Sequence, residues 1–182
     1  EGAKVNEIRE WHALPSNTSA MVGFLPGLVL LKENGCNLSK GNSNSHTPVH
    51  HAAQKGHLAV LVFLHAAGCP LDCVDDKGKG VTHYAAHGGC QSTINNLHSF
   101  GIPLDTQDLT GESPYSIAQS EGHTQCAELI RRLADQQVLA HAILQEITRD
   151  IEANDFASAN KHFRSDAGKE ACSKMKSAFA PV

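Results

Sequence analysis

Thr47-Pro48-Val49-His50-His51-Ala52-Ala53-Gln54-Lys55-Gly56-His57 is the stretch from which the rest of this chain can be read. A hydroxyl residue able to cap a helix is followed at once by a proline, which suits a first helical turn because no N–H is needed there. Two alanines leave that helix thin enough for a neighbour to approach closely, and Gly56 ends it. The glycine then recurs: Gly23, Gly56, Gly89 and Gly122 step by 33 residues, and so do Gly2, Gly35, Gly68 and Gly101 in a second register. A backbone-permissive residue at fixed period in two registers implies stacked structural repeats.

Four rows follow from that register. Leu14-Pro15-Ser16-Asn17 stands one period before Thr47, and Gly80-Val81-Thr82-His83 and Ser113-Pro114-Tyr115-Ser116 stand one and two periods after it. Ala52-Ala53, Ala85-Ala86 and Ala118 are the small residues of successive first helices. A second helix follows in each row as an apolar stripe, Leu58, Val60, Leu61, Phe63 and Leu64, answered by Ile94, Leu97 and Phe100. Gly35, Gly68 and Gly101 end these helices where a left-handed residue is wanted. Asp75-Asp76-Lys77-Gly78 and Asp108-Leu109-Thr110-Gly111 then read as hairpin turns.

The ungapped string T-P-x-H-x-A-A-x-x-G-H at 47–57 resembles the ankyrin repeat, and the match is strongest over 40–132. The resemblance implies an all-α fold with short β-hairpin fingers, an ankyrin-type α-solenoid of helix-turn-helix repeats followed by C-terminal helices. It further implies that His50 and His83 are framework histidines tying neighbouring backbones together, and that His57 and His123 fill the family's Gly-His position. Cys90 stands where His57 and His123 stand, which reads as a surface substitution.

Two rows depart from the pattern. Gly80-Val81 replaces Thr-Pro, so the third repeat should lack its cap, a loss of about 1 kcal/mol. The first row has Ser16 and Asn17 in place of the family's Leu and His, and Pro26-Gly27 near the start of its second helix. The expected organisation is an array over 1–132, with a partial unit at 1–6 and repeats at about 7–39, 40–72, 73–105 and 106–132. Gly2-Ala3-Lys4-Val5-Asn6 resembles the tail of a further unit, which suggests a repeat upstream; an N-terminal cap built from Ile8 and Trp11 is the alternative.

From Thr124 the apolar positions Leu129, Ile130, Leu133, Leu139, Ile143, Leu144, Ile147 and Ile151 keep helical spacing, with a break conceivable across Arg132–Gln137. Residues 133–182 are expected to form a helical extension or cap, with further helices carrying Phe156, Ala159 and Phe163, then Ala171, Met175 and Ala178. Capping the open end of the array is the first reading; a partner-binding helix pair or the start of another domain are the others.

Composition narrows the function. A net charge of −4 with scattered Lys and Arg gives no electrostatic case for nucleic acid. No apolar run is long enough to span a membrane. The cysteines follow the repeat: Cys36 and Cys69 are equivalent, and Cys126 lies two periods after Val60, a core position. Equivalent positions in stacked repeats sit too far apart for a disulfide, so reduced thiols and an intracellular setting, cytoplasm or nucleus, are expected.

Chemistry is sparse in this reading. His83-x-x-x-His87 shares a helix face, yet without the framework histidines only His51 and His87 remain, with no cysteine or carboxylate at motif spacing. No metal site, no catalytic residue and no cofactor is therefore expected. No activated nucleophile–base pair or phosphate-cradling loop is visible, and Gly78-Lys79-Gly80 reads as a turn.

What remains is a surface of finger tips and first-helix faces. His46, His51, Gln54 and Lys55 from the second repeat, Asp76, Lys77, Lys79, Tyr84 and His87 from the third, and Leu109, Glu112 and Ser120 from the fourth are its candidate partner-binding residues. Tyr84 and Leu109 stand out, an aromatic and an apolar group with no framework duty. The expected function is capture of another protein or peptide. The alternative is a targeting or substrate-recruiting arm of a larger enzyme or effector whose catalytic part lies outside the array. Binding through His46, His51 and His87 would depend on pH.

Overall fold

The computed structural model describes residues 14–152 together with 161, 162, 164, 165 and 169. The expectations placed on Gly2–Asn6, Ile8, Trp11, Phe156, Ala159, Phe163, Ala171, Met175 and Ala178 lie outside the described residues. The helices are α1 (Pro15–Val22), α2 (Leu25–Glu33), α3 (Pro48–Lys55), α4 (Leu58–Ala66), α5 (Val81–His87), α6 (Gln91–Ser99), α7 (Pro114–Ser120) and α8 (Thr124–Glu152). The first helices α1, α3, α5 and α7 stack side by side in one layer, each packed on the next. Each also pairs with its own second helix, α2, α4, α6 or α8. This is an all-α solenoid.

The sequence explains the close stacking. Ala20, Ala52, Ala53, Ala85, Ala86 and Ala118 are fully buried between first helices. Leu28, Leu61, Leu64, Ile94, Leu97 and Ile130 fill the space between the layers, each contributing roughly 1.5–3 kcal/mol by leaving water. Leu38, Leu71 and Leu104, one period apart, are buried in the same core just ahead of each finger. Cys36, Cys69 and Cys126 are buried in the same core, and the Cys126 thiol is pushed up to about 11 by burial.

Helix starts follow the register with a variation. The N–H of Thr47 donates to Nδ1 of His50, three residues on, and the N–H of Gly80 donates to Nδ1 of His83, each at 3.1 Å. Gly80 therefore keeps half of a reciprocal cap that was expected to be lost: the histidine, not the missing hydroxyl, satisfies the exposed donor. In the fourth repeat Ser116 Oγ accepts the Ser113 N–H at 2.9 Å, and Ser113 Oγ accepts the Ser116 N–H at 3.2 Å. Pro26-Gly27 sits in the first turn of α2, where it is tolerated.

Helix ends show where the array stops. Gly35, Gly68 and Gly101 have φ of 74°, 86° and 77° and close α2, α4 and α6. One period later stands Ala134, for which that left-handed conformation is costly, and α8 runs on through 132–137 without a break. Gln137 secures it: its side-chain amide donates to Ile102 O at 2.9 Å, and its Oε1 accepts the Leu104 N–H at 3.3 Å. The expected β-hairpin fingers are turns. Val74 and Gly80 form an isolated antiparallel bridge, and no strand is present among the described residues.

Candidate partner-binding surface

Three side chains, one period apart, build the fingers. Asn42 Oδ1 accepts the N–H of Asn44 and of His46, both at 3.0 Å. Asp75 Oδ1 accepts the N–H of Lys77 and Lys79 at 2.9 and 2.8 Å. Asp108 Oδ1 accepts those of Thr110 and Glu112 at 2.8 and 2.9 Å. The same turn is thus folded three times around a short acceptor side chain. Ser45, Gly78 and Gly111 hold its left-handed position, with φ of 61°, 76° and 83°. Adjacent tips are tied by main-chain bonds, Asp76 N–H to Asn44 O at 3.3 Å and Leu109 N–H to Lys77 O at 3.0 Å.

The fingers are fixed to the helices through a backbone carbonyl, that of the residue ending the first and third turns and that of Cys73, two residues ahead of the second. His50 Nε2 donates to Cys73 O at 3.2 Å, and His83 Nε2 to Glu112 O at 3.2 Å. Asn17, equivalent in position to both, donates through Nδ2 to His46 O at 2.7 Å, so the asparagine does in the first repeat what His83 does in the third. Burial pushes His50 down to about 4 and lowers His83 as well, so both rings are neutral at physiological pH.

The candidate residues separate into groups. His46, His51 and Tyr84 come together around Asp75. The Tyr84 hydroxyl donates to Asp75 Oδ2 at 2.6 Å and lies 2.8 Å from His46 Nε2. The His46 ring stands edge-on to those of His51 and Tyr84, with centroids 5.8 and 5.4 Å apart. Burial works to raise the Asp75 carboxyl, but the bonds from Tyr84, Lys79 and Lys77 outweigh it and hold the group below its ordinary range. Burial and the adjoining carboxylate raise the Tyr84 phenol. His51 is lowered, by burial first and by His46 second.

Tyr84 therefore does have an internal duty: half-buried, it clamps the second finger to α5. A second group is ionic. Lys79 Nζ lies 3.0 Å from Glu112 Oε2 and 3.4 Å from Asp108 Oδ2, joining the second and third fingers. A third runs along the far ends of the first helices, where Gln54 Nε2 is 3.3 Å from His87 Nδ1 and His87 Nε2 is 3.6 Å from Glu121. Asp76, Lys77, Lys55 and Ser120 are exposed, Ser120 returning its hydroxyl to Ile117 O. Leu109 is the most exposed of the described large apolar residues at 79%, on the tip of the third finger against Gly78.

Two residues were not anticipated. Asp75 is the acceptor around which the second finger and the His46–Tyr84 group are organised; the signal was its equivalence with Asn42 and Asp108. Cys90 is half-buried and donates to Gln54 O at 3.6 Å, as His57 Nε2 meets Met21 O at 3.2 Å one period earlier. It is a joint between repeats, not a surface substitution, and burial raises its thiol.

A family model of ankyrin repeats, three copies long, matches the chain over residues 17–108 and again over 50–140. The chain belongs to the ankyrin repeat family. No curated protein matches it. Ankyrin repeats are in general protein–protein interaction modules and are typically non-catalytic. No helix among the described residues is long and apolar enough to cross a membrane.

Proposed function

We propose that this chain captures an extended segment of a partner protein along its fingers and the exposed ends of its first helices. The observation that carries the reading is Leu109, a large apolar side chain 79% exposed on a finger whose backbone is fixed by Asp108 and by the bond to Lys77. A rigid tip loses little conformational freedom on binding, and an apolar group presented there can serve as an anchor. Lys77 and Asp76 on the adjacent tip would set the polar rim, with His87 and Gln54 at the far end of the surface. Tyr84 contributes its ring edge, its hydroxyl being held by Asp75.

The test is a crosslinking pull-down from the native source, comparing the full chain with Leu109→Glu and Lys77→Glu. Both residues are exposed and neither side chain supports the fold, so circular dichroism should be unchanged. Loss of the same captured protein in Leu109→Glu supports the reading. Wild-type recovery of every captured protein by both variants refutes it. An intracellular partner, and a role as the recruiting arm of a larger protein, fit the same surface.

A further inference from the structure

His46 Nε2 and Asp75 Oδ2 face one another across the Tyr84 hydroxyl, which lies 2.8 Å from the first and 2.6 Å from the second. His46 Nε2 and Asp75 Oδ2 are 3.4 Å apart, beyond the usual range of about 2.7–3.2 Å for an N–H···O bond. Two ligands on a zinc-type ion, each at about 2.0–2.1 Å, are separated by that distance when the angle at the metal is about 110°, the tetrahedral value. A carboxylate oxygen of Asp76 completes a set of three atoms that all lie within 4.8 Å of one another. We propose that His46, Asp75 and Asp76 bind a divalent transition-metal ion of the zinc type, which pins the first finger to the second.

The surroundings suit such a site. Asp75 cannot turn away: Oδ1 holds two backbone N–H groups and Oδ2 holds the Tyr84 hydroxyl, leaving one lone-pair direction, toward His46. A hydrogen bond to a ligating carboxylate is the outer contact that orients metal ligands elsewhere. His46 is held through its backbone, its N–H on Asn42 Oδ1 and its C=O under Asn17 Nδ2. Asp76 is exposed and anchored only by its own N–H on Asn44 O, so its carboxylate can swing onto an ion while water fills the fourth position.

Charge is in accord. Two carboxylates offset the two positive charges of the ion, and Lys79, which ends the same turn, is turned into the next joint by Asp108 and Glu112. Uptake needs the Nε2 lone pair of His46, so the ion takes the place of that atom's contact with the Tyr84 hydroxyl. The Tyr84 hydroxyl keeps its bond to Asp75. No motif spacing reveals this set, because its ligands come from two successive turns 29 and 30 residues apart.

The experiment uses the full chain, free of any affinity tag and freed of metal with chelator. Cobalt(II) is titrated first, since a tetrahedral site gives it an intense visible band, and then zinc(II) with thermal unfolding as the readout. Asp76→Asn is the decisive variant, because its side chain supports nothing in the fold; His46→Gln is the second. Saturable cobalt absorption and a zinc-dependent rise in melting temperature, both weakened at least about tenfold in affinity by Asp76→Asn, support the site, tenfold being the lower end for losing one contributor to a metal centre. No saturable binding, or the same affinity in Asp76→Asn and His46→Gln as in the wild type, overturns it.

Discussion

Mild acid should loosen this array through one ring, His50. The side chain is fully buried, its Nδ1 accepts the Thr47 N–H and its Nε2 donates to Cys73 O, so both nitrogens are committed in the neutral form. Burial is the main reason the ring is pushed from 6.5 down to about 4; repulsion from His46 and His51 adds to it, while the Cys73 carbonyl and Asp75 oppose it. Tyr84 faces the same ring, with centroids 5.0 Å apart.

A histidine with a depressed folded value binds fewer protons folded than unfolded. Its contribution is complete above 6.5 and is lost as pH falls toward 4. Over that whole window the shift corresponds to about 3 kcal/mol, of which about 2 kcal/mol falls between about pH 7 and pH 5. Asp75 does not interfere, since its carboxyl is held below its ordinary range and titrates lower still.

His50→Asn is the control the molecule supplies, because Asn17, at the equivalent position, ties its helix to a finger carbonyl with an amide that does not titrate. The variant should be less stable near neutrality by about 1–3 kcal/mol, for a smaller side chain and a lost acceptor. Urea unfolding followed by far-ultraviolet circular dichroism, in chelator, at about pH 7, 6 and 5, measures the gap between the two proteins. That gap should close by about 2 kcal/mol over the series. His83 titrates in the same direction in both proteins and cancels. A gap constant to within about 0.5 kcal/mol would refute the assignment of acid sensitivity to His50.

Three further outcomes are expected. Gly88→Ala should cost about 1–3 kcal/mol or more, read as a lower urea midpoint, because its Cβ would stand 1.9 Å from the Gln54 carbonyl oxygen, a backbone atom that cannot step aside. Ser45→Gly should raise stability by up to about 1 kcal/mol, read as a higher urea midpoint, since Ser45 alone among the described non-glycine residues has positive φ and glycine fills the equivalent places at 78 and 111. Tyr84→Phe should cost about 1.5–3 kcal/mol by removing a hydroxyl from a buried carboxylate; a loss under about 0.5 kcal/mol in thermal and urea unfolding would mean the 2.6 Å bond does not hold the finger.

The layers of the fold were legible because they rest on strong local signals. Prolines at helix starts, buried alanines and left-handed glycines are each a backbone requirement written as a residue type, and a 33-residue period repeats the statement. The length of α8 was legible in part: Ala134 in the glycine register says that the helix need not stop, but Gln137 clamping the 102–104 backbone is a tertiary bond no period announces. The surface was harder to read for the same reason. Tyr84 looked unemployed because its partner Asp75 belongs to the turn nine residues earlier, and nothing in a helical or hairpin spacing joins the two. Cys90 looked incidental until Gly88, two residues before it, showed how closely α5 approaches α3. Lys55 and Glu121 occupy the same place as Gly88 in repeats that carry His57 and His123, so the two small residues act together at one interface.

The period also makes the differences between joints informative. Positions 46, 79 and 112 are equivalent, as are 42, 75 and 108, and their backbones are folded by the same hydrogen bonds. Onto that shared frame the boundary between the second and third repeats sets a histidine, an aspartate and a tyrosine. The next boundary sets a lysine between two carboxylates. The first joint, on the proposal above, answers to metal; the second answers to ionic strength, because Lys79 and Glu112 are partly exposed and screened by salt. The two joints are linked along the fingers, since Asn44 and Asp76, and then Lys77 and Leu109, are bonded tip to tip. Leu109 sits at the end of this run of bonded tips, and on the proposed function partner affinity should fall with ionic strength through the Lys79 joint even where the partner touches none of its charged groups.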